Sequence, residues 1–81
     1  MGSEPDIQPF LTKLGKRIKA LRVQQGLTQT DLADRTFMDY RQIQRIEGGH
    51  INTSIGNTYL IAQALEVSLS DLVESISADG A

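Results

Sequence analysis

The sequence predicts an all-α domain of five helices, and three observations lead to it. Apolar residues recur at three- and four-residue intervals along most of the chain, the spacing that collects them on one face of a helix. Thr, Asp and Ser stand where such runs begin, and glycine stands where two of them stop. Those are the residues that cap helix N-termini and end helices in left-handed geometry. No stretch alternates apolar and polar residues as a half-buried strand does.

Residues 1–10 hold two prolines and little periodicity, so they are expected to form a flexible arm. From Leu11 the positions Leu11, Leu14, Ile18 and Leu21 define one helical face running to about Gln25, stopped by Gly26. Thr28 with Asp31 three residues later forms a weaker relative of the capping box, opening a helix over 28–35 that buries Leu32 and Ala33. Asp39 caps a third helix, 39–47, with Ile43 and Ile46 on one face and Gly48-Gly49 at its end. A loop through Asn52 and Thr53, where Thr53 is a cap candidate, leads to a fourth helix over about 54–65. Its expected inward positions are Ile55, Tyr59, Ala62 and Leu65. Ser68 caps a short fifth helix with Leu69, Leu72 and Val73, and residues 75–81 are expected to fray. The domain thus occupies residues 11–74.

Eighty-one residues suffice for one domain and one modest core. With no cysteine there is neither a disulfide framework nor a cysteine-based zinc site. One histidine, no phosphate-cradling glycine loop and no clustered metal ligands argue against an enzyme and against a cofactor or metal. Asp31 and Asp34 read as first-turn acids that suit a helix N-terminus. No apolar run has the length of a membrane span, so a soluble, cytoplasmic protein without membrane partner is expected. The net charge is −2, yet all eight basic residues lie between positions 11 and 50 beside only four acids. That distribution suggests a basic face for phosphate and an acidic remainder.

The second and third helices are separated by about three residues, which forces them to cross steeply as a helix-turn-helix. In this arrangement the second helix of the pair protrudes and can enter a DNA major groove. Three segments carry a resemblance: Gly26-Leu27-Thr28-Gln29-Thr30-Asp31-Leu32-Ala33, Ile43-Gln44-Arg45-Ile46-Glu47-Gly48-Gly49, and Ala64-Leu65-Glu66-Val67-Ser68-Leu69-Ser70-Asp71-Leu72. In order and spacing they resemble the Cro/C1-type (XRE) repressors, over most of the region from the first helix to the fifth. The resemblance implies a five-helix, lambda-repressor-like DNA-binding domain whose helices 2 and 3 form the reading unit. By position it makes Tyr40, Arg41 and Arg45 base-reading residues, with Gln42 and Gln44 secondary. It gives Gln29 a contact to backbone phosphate, and it pairs Arg22 with Glu47 as a structural ion pair. His50 and Asn52 fall just after the reading helix, where the family touches the DNA backbone.

The chemistry agrees with these roles. Arginine can donate two parallel hydrogen bonds to guanine O6 and N7, and Arg41 and Arg45, four apart, project from one side of a helix. The resemblance also implies a transcriptional regulator, here a repressor, that binds a two-fold-symmetric operator as a homodimer. Leu69, Leu72, Val73 and Ile76 are the candidate dimer contacts, and no small-molecule effector site is evident. The competing readings are a protein-interaction adaptor and a toxin-paired antitoxin built on the same fold. One position departs from the pattern: Phe37 stands where the family has Gly or Asn with positive φ in the turn. Either the turn takes another shape, or the ring gains packing or a partner contact that offsets the strain.

Overall fold

The computed structural model describes residues 6–80. They form α1 (Gln8–Gln24), α2 (Gln29–Thr36), α3 (Tyr40–Glu47), α4 (Ile55–Ala64) and α5 (Leu69–Gly80). The architecture is the all-α, five-helix arrangement that the periodicity predicts.

α1 begins three residues before Leu11. Pro9 sits in its first turn, where a missing N–H costs nothing and the fixed φ suits the helix. Residues 8–10 therefore belong to the helix and not to an arm, while residues 1–5 of that expected arm lie outside the described region. Gln8 Nε2 donates to Gly49 O at 2.8 Å and to Thr12 Oγ1 at 3.0 Å, fastening the start of α1 to the end of α3. At the other end Gly26 adopts φ +73°, and Leu27 N donates back to Arg22 O at 3.0 Å, closing the helix as a Schellman-type turn.

The remaining caps are local. Asp31 N donates to Thr28 Oγ1 and Thr28 N donates to the Asp31 carboxylate, so the reciprocal box at α2 is complete. Asp39 Oδ1 accepts from Arg41 N at the start of α3. At α4 the cap is Ser54, whose Oγ accepts from Asn57 N; this corrects the expectation of Thr53. Ser68 Oγ accepts from Asp71 N at α5. That helix continues to Gly80, beyond the residue 75 limit that its polar composition suggested.

α1 packs on α3 and α5, α2 on α3 and α4, and α4 on α5. The centre is filled by Ile18, Leu32, Ile43, Ile61, Leu65 and Leu72, all fully buried. Gly15 sets the approach of α1 to α3. A Cβ there would lie 2.5 Å from Ile46 O and against Glu47 O, so the two helices touch backbone to backbone.

Two expectations about packing are corrected. α4 turns Thr58, Ile61, Ala62 and Leu65 inward, whereas Ile55 is 71% and Tyr59 50% exposed. The helix is apolar on nearly every side, so periodicity alone does not select the buried face. Thr58 can point inward because its hydroxyl donates to Ser54 O at 2.8 Å. On α5, Leu72 and Ile76 belong to the chain's own core, which removes them from a dimer surface; Leu69 and Val73 are half-buried.

The turn between α2 and α3 keeps its left-handed residue. Phe37 has φ 59° and ψ 26°, and Met38 N donates to Ala33 O at 3.1 Å. A side chain in this region costs on the order of 1–2 kcal/mol. No packing offsets that cost within the chain, because Phe37 is 97% exposed.

Candidate nucleic-acid interface

α2 and α3, with Phe37, Met38 and Asp39 between them, form the helix-turn-helix. α3 buries Ile43 and Ile46 and turns Tyr40, Arg41, Gln44 and Arg45 to solvent, with Gln42 half-buried beside them. These exposed positions follow the three- and four-residue spacing of one helical stripe. Gln44 Nε2 donates to Tyr40 Oη at 3.1 Å, which orders the phenol along the stripe. Asp39, Arg41, Gln42, Arg45 and Ile51 border a shallow polar depression of about 420 Å³. Among the described residues neither Arg41 nor Arg45 enters an ion pair, so both guanidinium forks keep their donors for an external acceptor.

The orientation of α3 is fixed from beneath by one carboxylate. Glu47 Oε2 accepts from Arg22 Nε at 2.7 Å and Oε1 accepts from Arg22 Nη2 at 3.0 Å, while Arg22 Nη1 donates to Leu27 O at 2.8 Å. Arg22 and Glu47 are each 8% exposed. The hydrogen bond to Glu47 holds the Arg22 guanidinium's pKa above its ordinary value; burial opposes this and the carboxylate's charge adds to it. The pair also places a cation beside the C-terminal end of α3, where the helix dipole disfavours Glu47 alone.

Gln29 joins the same network. Its Nε2 donates to Glu47 Oε1 at 3.0 Å, a link across eighteen residues that local patterning does not reveal. Gln29 opens α2 and is half-buried; one amide hydrogen is engaged and a second remains. The N-terminal N–H groups of α2 add donors at the same edge.

His50 and Asn52 are exposed on the loop after α3. His50 N donates to Arg45 O at 2.9 Å. Its imidazole lies over Gly48, where an added Cβ would fall 2.6 Å from Cδ2. Gly49 turns the chain at φ +73° against the backbone of Thr12. Tyr40, Arg41, Arg45 and Gln44 thus share the α3 stripe, with Gln29 at one edge and His50 and Asn52 past its end.

Adjoining this face at Asn52, the residues Phe10, Leu11, Leu14, Ile55, Thr58 and Val73, with Asn52 and Thr53, line an apolar cavity of about 200 Å³. The candidate dimer contacts that the sequence offers include Val73 but neither Phe10 nor Ile55. The available signal was that α4 carries more apolar residues than one buried face can use.

Residues 18–72 match the family profile HTH_3, described as helix-turn-helix, the XRE/Cro/C1-type transcriptional regulators. The chain belongs to this family. An HTH-type transcriptional regulator of Rickettsia conorii is 32% identical over 77 residues, covering 94% of this chain and 62% of the relative. A second, from Rickettsia prowazekii, is 31% identical and covers 94% and 59%. The chain therefore spans about three-fifths of the length of these curated relatives. Among solved structures, the restriction-modification controller protein C.AhdI from Aeromonas hydrophila superposes with a TM-score of 0.76 at 33% identity, over 78% of this chain and 96% of that one. The controller protein C.Esp1396I, as a tetramer on its natural 35 base-pair operator, gives 0.77 at 32% identity over 93% and 96%. The clp gene regulator ClgR from C. glutamicum shares the fold, with a TM-score of 0.80 at 21% identity. This HTH_3 domain has no helix, among its described residues, long and apolar enough to cross a membrane.

Proposed function

We propose that this HTH_3 domain is a sequence-specific DNA-binding transcriptional repressor that places α3 in the major groove of a two-fold-symmetric operator and acts as a homodimer. The observation that carries the reading is the α3 stripe itself. Tyr40, Arg41, Gln44 and Arg45 face solvent together, on a helix held by the buried Arg22–Glu47 pair. Arg41 and Arg45 read guanine edges through bidentate hydrogen bonds, and Tyr40 stands beside them at the start of the helix. Gln29 and the N-terminal N–H groups of α2 grip a phosphate, while His50 and Asn52 meet the backbone past the end of α3. The operator-bound controller protein, similar along nearly its whole length, supports this arrangement.

The dimer surface is the rim of the apolar cavity. Ile55 and Phe10 protrude at it with Val73 half-buried alongside, and exposed Tyr59 and half-buried Leu69 stand four residues from Ile55 and Val73 on the same helices. One patch that offers both protruding apolar groups and a hollow meets the self-complementarity that a two-fold interface requires. Two copies so paired would read half-sites about 34 Å apart and obstruct polymerase by occupying the site.

In-vitro selection of bound duplexes from a random pool tests the proposal. The expected product is a palindromic consensus whose affinity falls linearly with salt on a log–log plot. Arg41→Ala and Arg45→Ala should each weaken the selected site by roughly 5- to 150-fold and relax the consensus at one position. A pool that yields no retained duplex at low salt would refute DNA reading and favour an adaptor.

A further inference from the structure

Phe37 combines two features that the reading above leaves unused. Its backbone is left-handed at φ 59°, a conformation that L side chains adopt at a cost, and its ring is 97% exposed. An exposed aromatic gains nothing within the chain to offset that strain, and strained residues of this kind collect at ligand contacts. Met38, the next residue, is half-buried and packs against the core. It anchors the turn and leaves Phe37 projecting from it.

The position says what the ring meets. Phe37 lies three residues before Tyr40, the first residue of α3, so the two Cα atoms are within about 10 Å of each other. A major groove is about 12 Å wide and 8.5 Å deep. With the N-terminal turn of α3 on base edges, that distance brings the exposed ring of Phe37 within reach of the rim of the same groove. The apolar feature exposed there is the thymine C5-methyl, which phenylalanine contacts without hydrogen bonding. The ring is also separate from the apolar cavity, whose lining comes from α1, the loop after α3, α4 and α5.

We infer that Phe37 is a specificity residue: it makes an apolar contact with a thymine methyl at the groove rim, next to the bases read by Tyr40 and Arg41. The inference rests on the DNA reading proposed above and adds to it a thymine preference set by the turn and not by α3. It also explains how a bulky residue is retained at a strained position.

Phe37→Gly separates strain from contact, because the two readouts should move in opposite directions. Glycine tolerates positive φ, so the melting temperature of the free protein should rise, by about 4–16 °C for relief of that strain in a domain of this size. Affinity for the selected duplex should fall on the order of tenfold. Replacing the critical thymine by deoxyuridine, which removes only the methyl, should weaken wild-type binding by a similar factor and leave Phe37→Gly unaffected. Phe37→Tyr should retain affinity, and the salt slope should not change in any variant because no phosphate contact is removed. Unchanged affinity in Phe37→Gly overturns the inference, as does a loss of affinity with thymine discrimination intact. Altered self-association of the free Phe37→Gly protein would identify the ring as a protein contact and overturn it too. If wild-type protein retains no duplex at all, the DNA reading fails and takes this inference with it, a result distinct from failure of the variant alone.

Discussion

Glu47→Ala is the most informative single perturbation of the fold. The side chain accepts three hydrogen bonds, two from Arg22 and one from Gln29. Its removal leaves the Arg22 guanidinium in a site 8% exposed with Leu27 O as its remaining protein acceptor. Breaking a buried ion pair by deleting one partner costs about 3–5 kcal/mol, and the residual water access here places the expected loss near the lower figure, about 3 kcal/mol. A domain of this length has a total stability of about 4–12 kcal/mol. At roughly 4–8 °C per kcal/mol, the melting temperature should fall by about 12–24 °C. Thermal unfolding followed by circular dichroism measures it, and Arg22→Met/Glu47→Met supplies the control. The double variant removes both charges together and should recover much of the loss. A shift of less than about 4 °C in Glu47→Ala, or a double variant no more stable than the single, would refute the argument that an uncompensated buried charge is what the pair prevents.

Other outcomes follow from the same geometry. Gly15→Ala should destabilise the domain by about 1–3 kcal/mol despite alanine's better helix propensity, since the new methyl meets backbone carbonyls that have nowhere to move; a raised melting temperature would contradict the close α1–α3 approach. Hydrogen bonds from the Thr28 backbone N–H, then the Thr28 side chain, hold the Asp31 carboxyl below its ordinary value. Its contribution is therefore complete above the unfolded pKa and is lost as pH falls through the lowered folded value. Melting temperatures measured down this acid range should converge between wild type and Asp31→Asn. Ile55→Asp should convert the proposed dimer to a monomer in sedimentation while leaving the monomer's folding intact, because the residue is 71% exposed; a dimer that persists would place the interface elsewhere.

The parts of the fold that sequence reading recovered are those governed by neighbours in the chain. The caps at Thr28, Asp39 and Ser68 act within three residues, and the stripes of α1 and α3 are narrow enough to have one reading. On α4 the expected inward positions Ala62 and Leu65 are buried and Ile55 and Tyr59 are not; these two compete with Thr58 and Ile61 for the inward face, and only packing against α2 and α5 decides between them. The apolar positions Leu69, Leu72, Val73 and Ile76 mark a face to be covered, but their spacing does not say what covers it. Leu72 and Ile76 fill the core, and the uncovered surface includes Ile55, Tyr59 and Phe10. Phe10 was hidden by Pro9, which reads as irregular chain yet sits comfortably in a first helical turn. On the reading face, the α3 stripe followed from spacing. The bond from Gln29 to Glu47 did not, because it depends on how two helices cross.

α1 is stitched at both ends: Gln8 holds Gly49 O behind α3, and Gln25 Nε2 donates to Leu65 O at 2.6 Å behind α4. The same helix supports the reading face along one side and contributes Phe10, Leu11 and Leu14 to the apolar cavity on another. On the proposed pairing, the reading and pairing surfaces would both be mounted on this one continuous helix, a strut with no loop within it. Inserting one base pair between half-sites turns one relative to the other by about 34–36°, and such a strut has no joint with which to follow. Operator spacing would then be a length the protein measures mechanically, independent of the bases it touches.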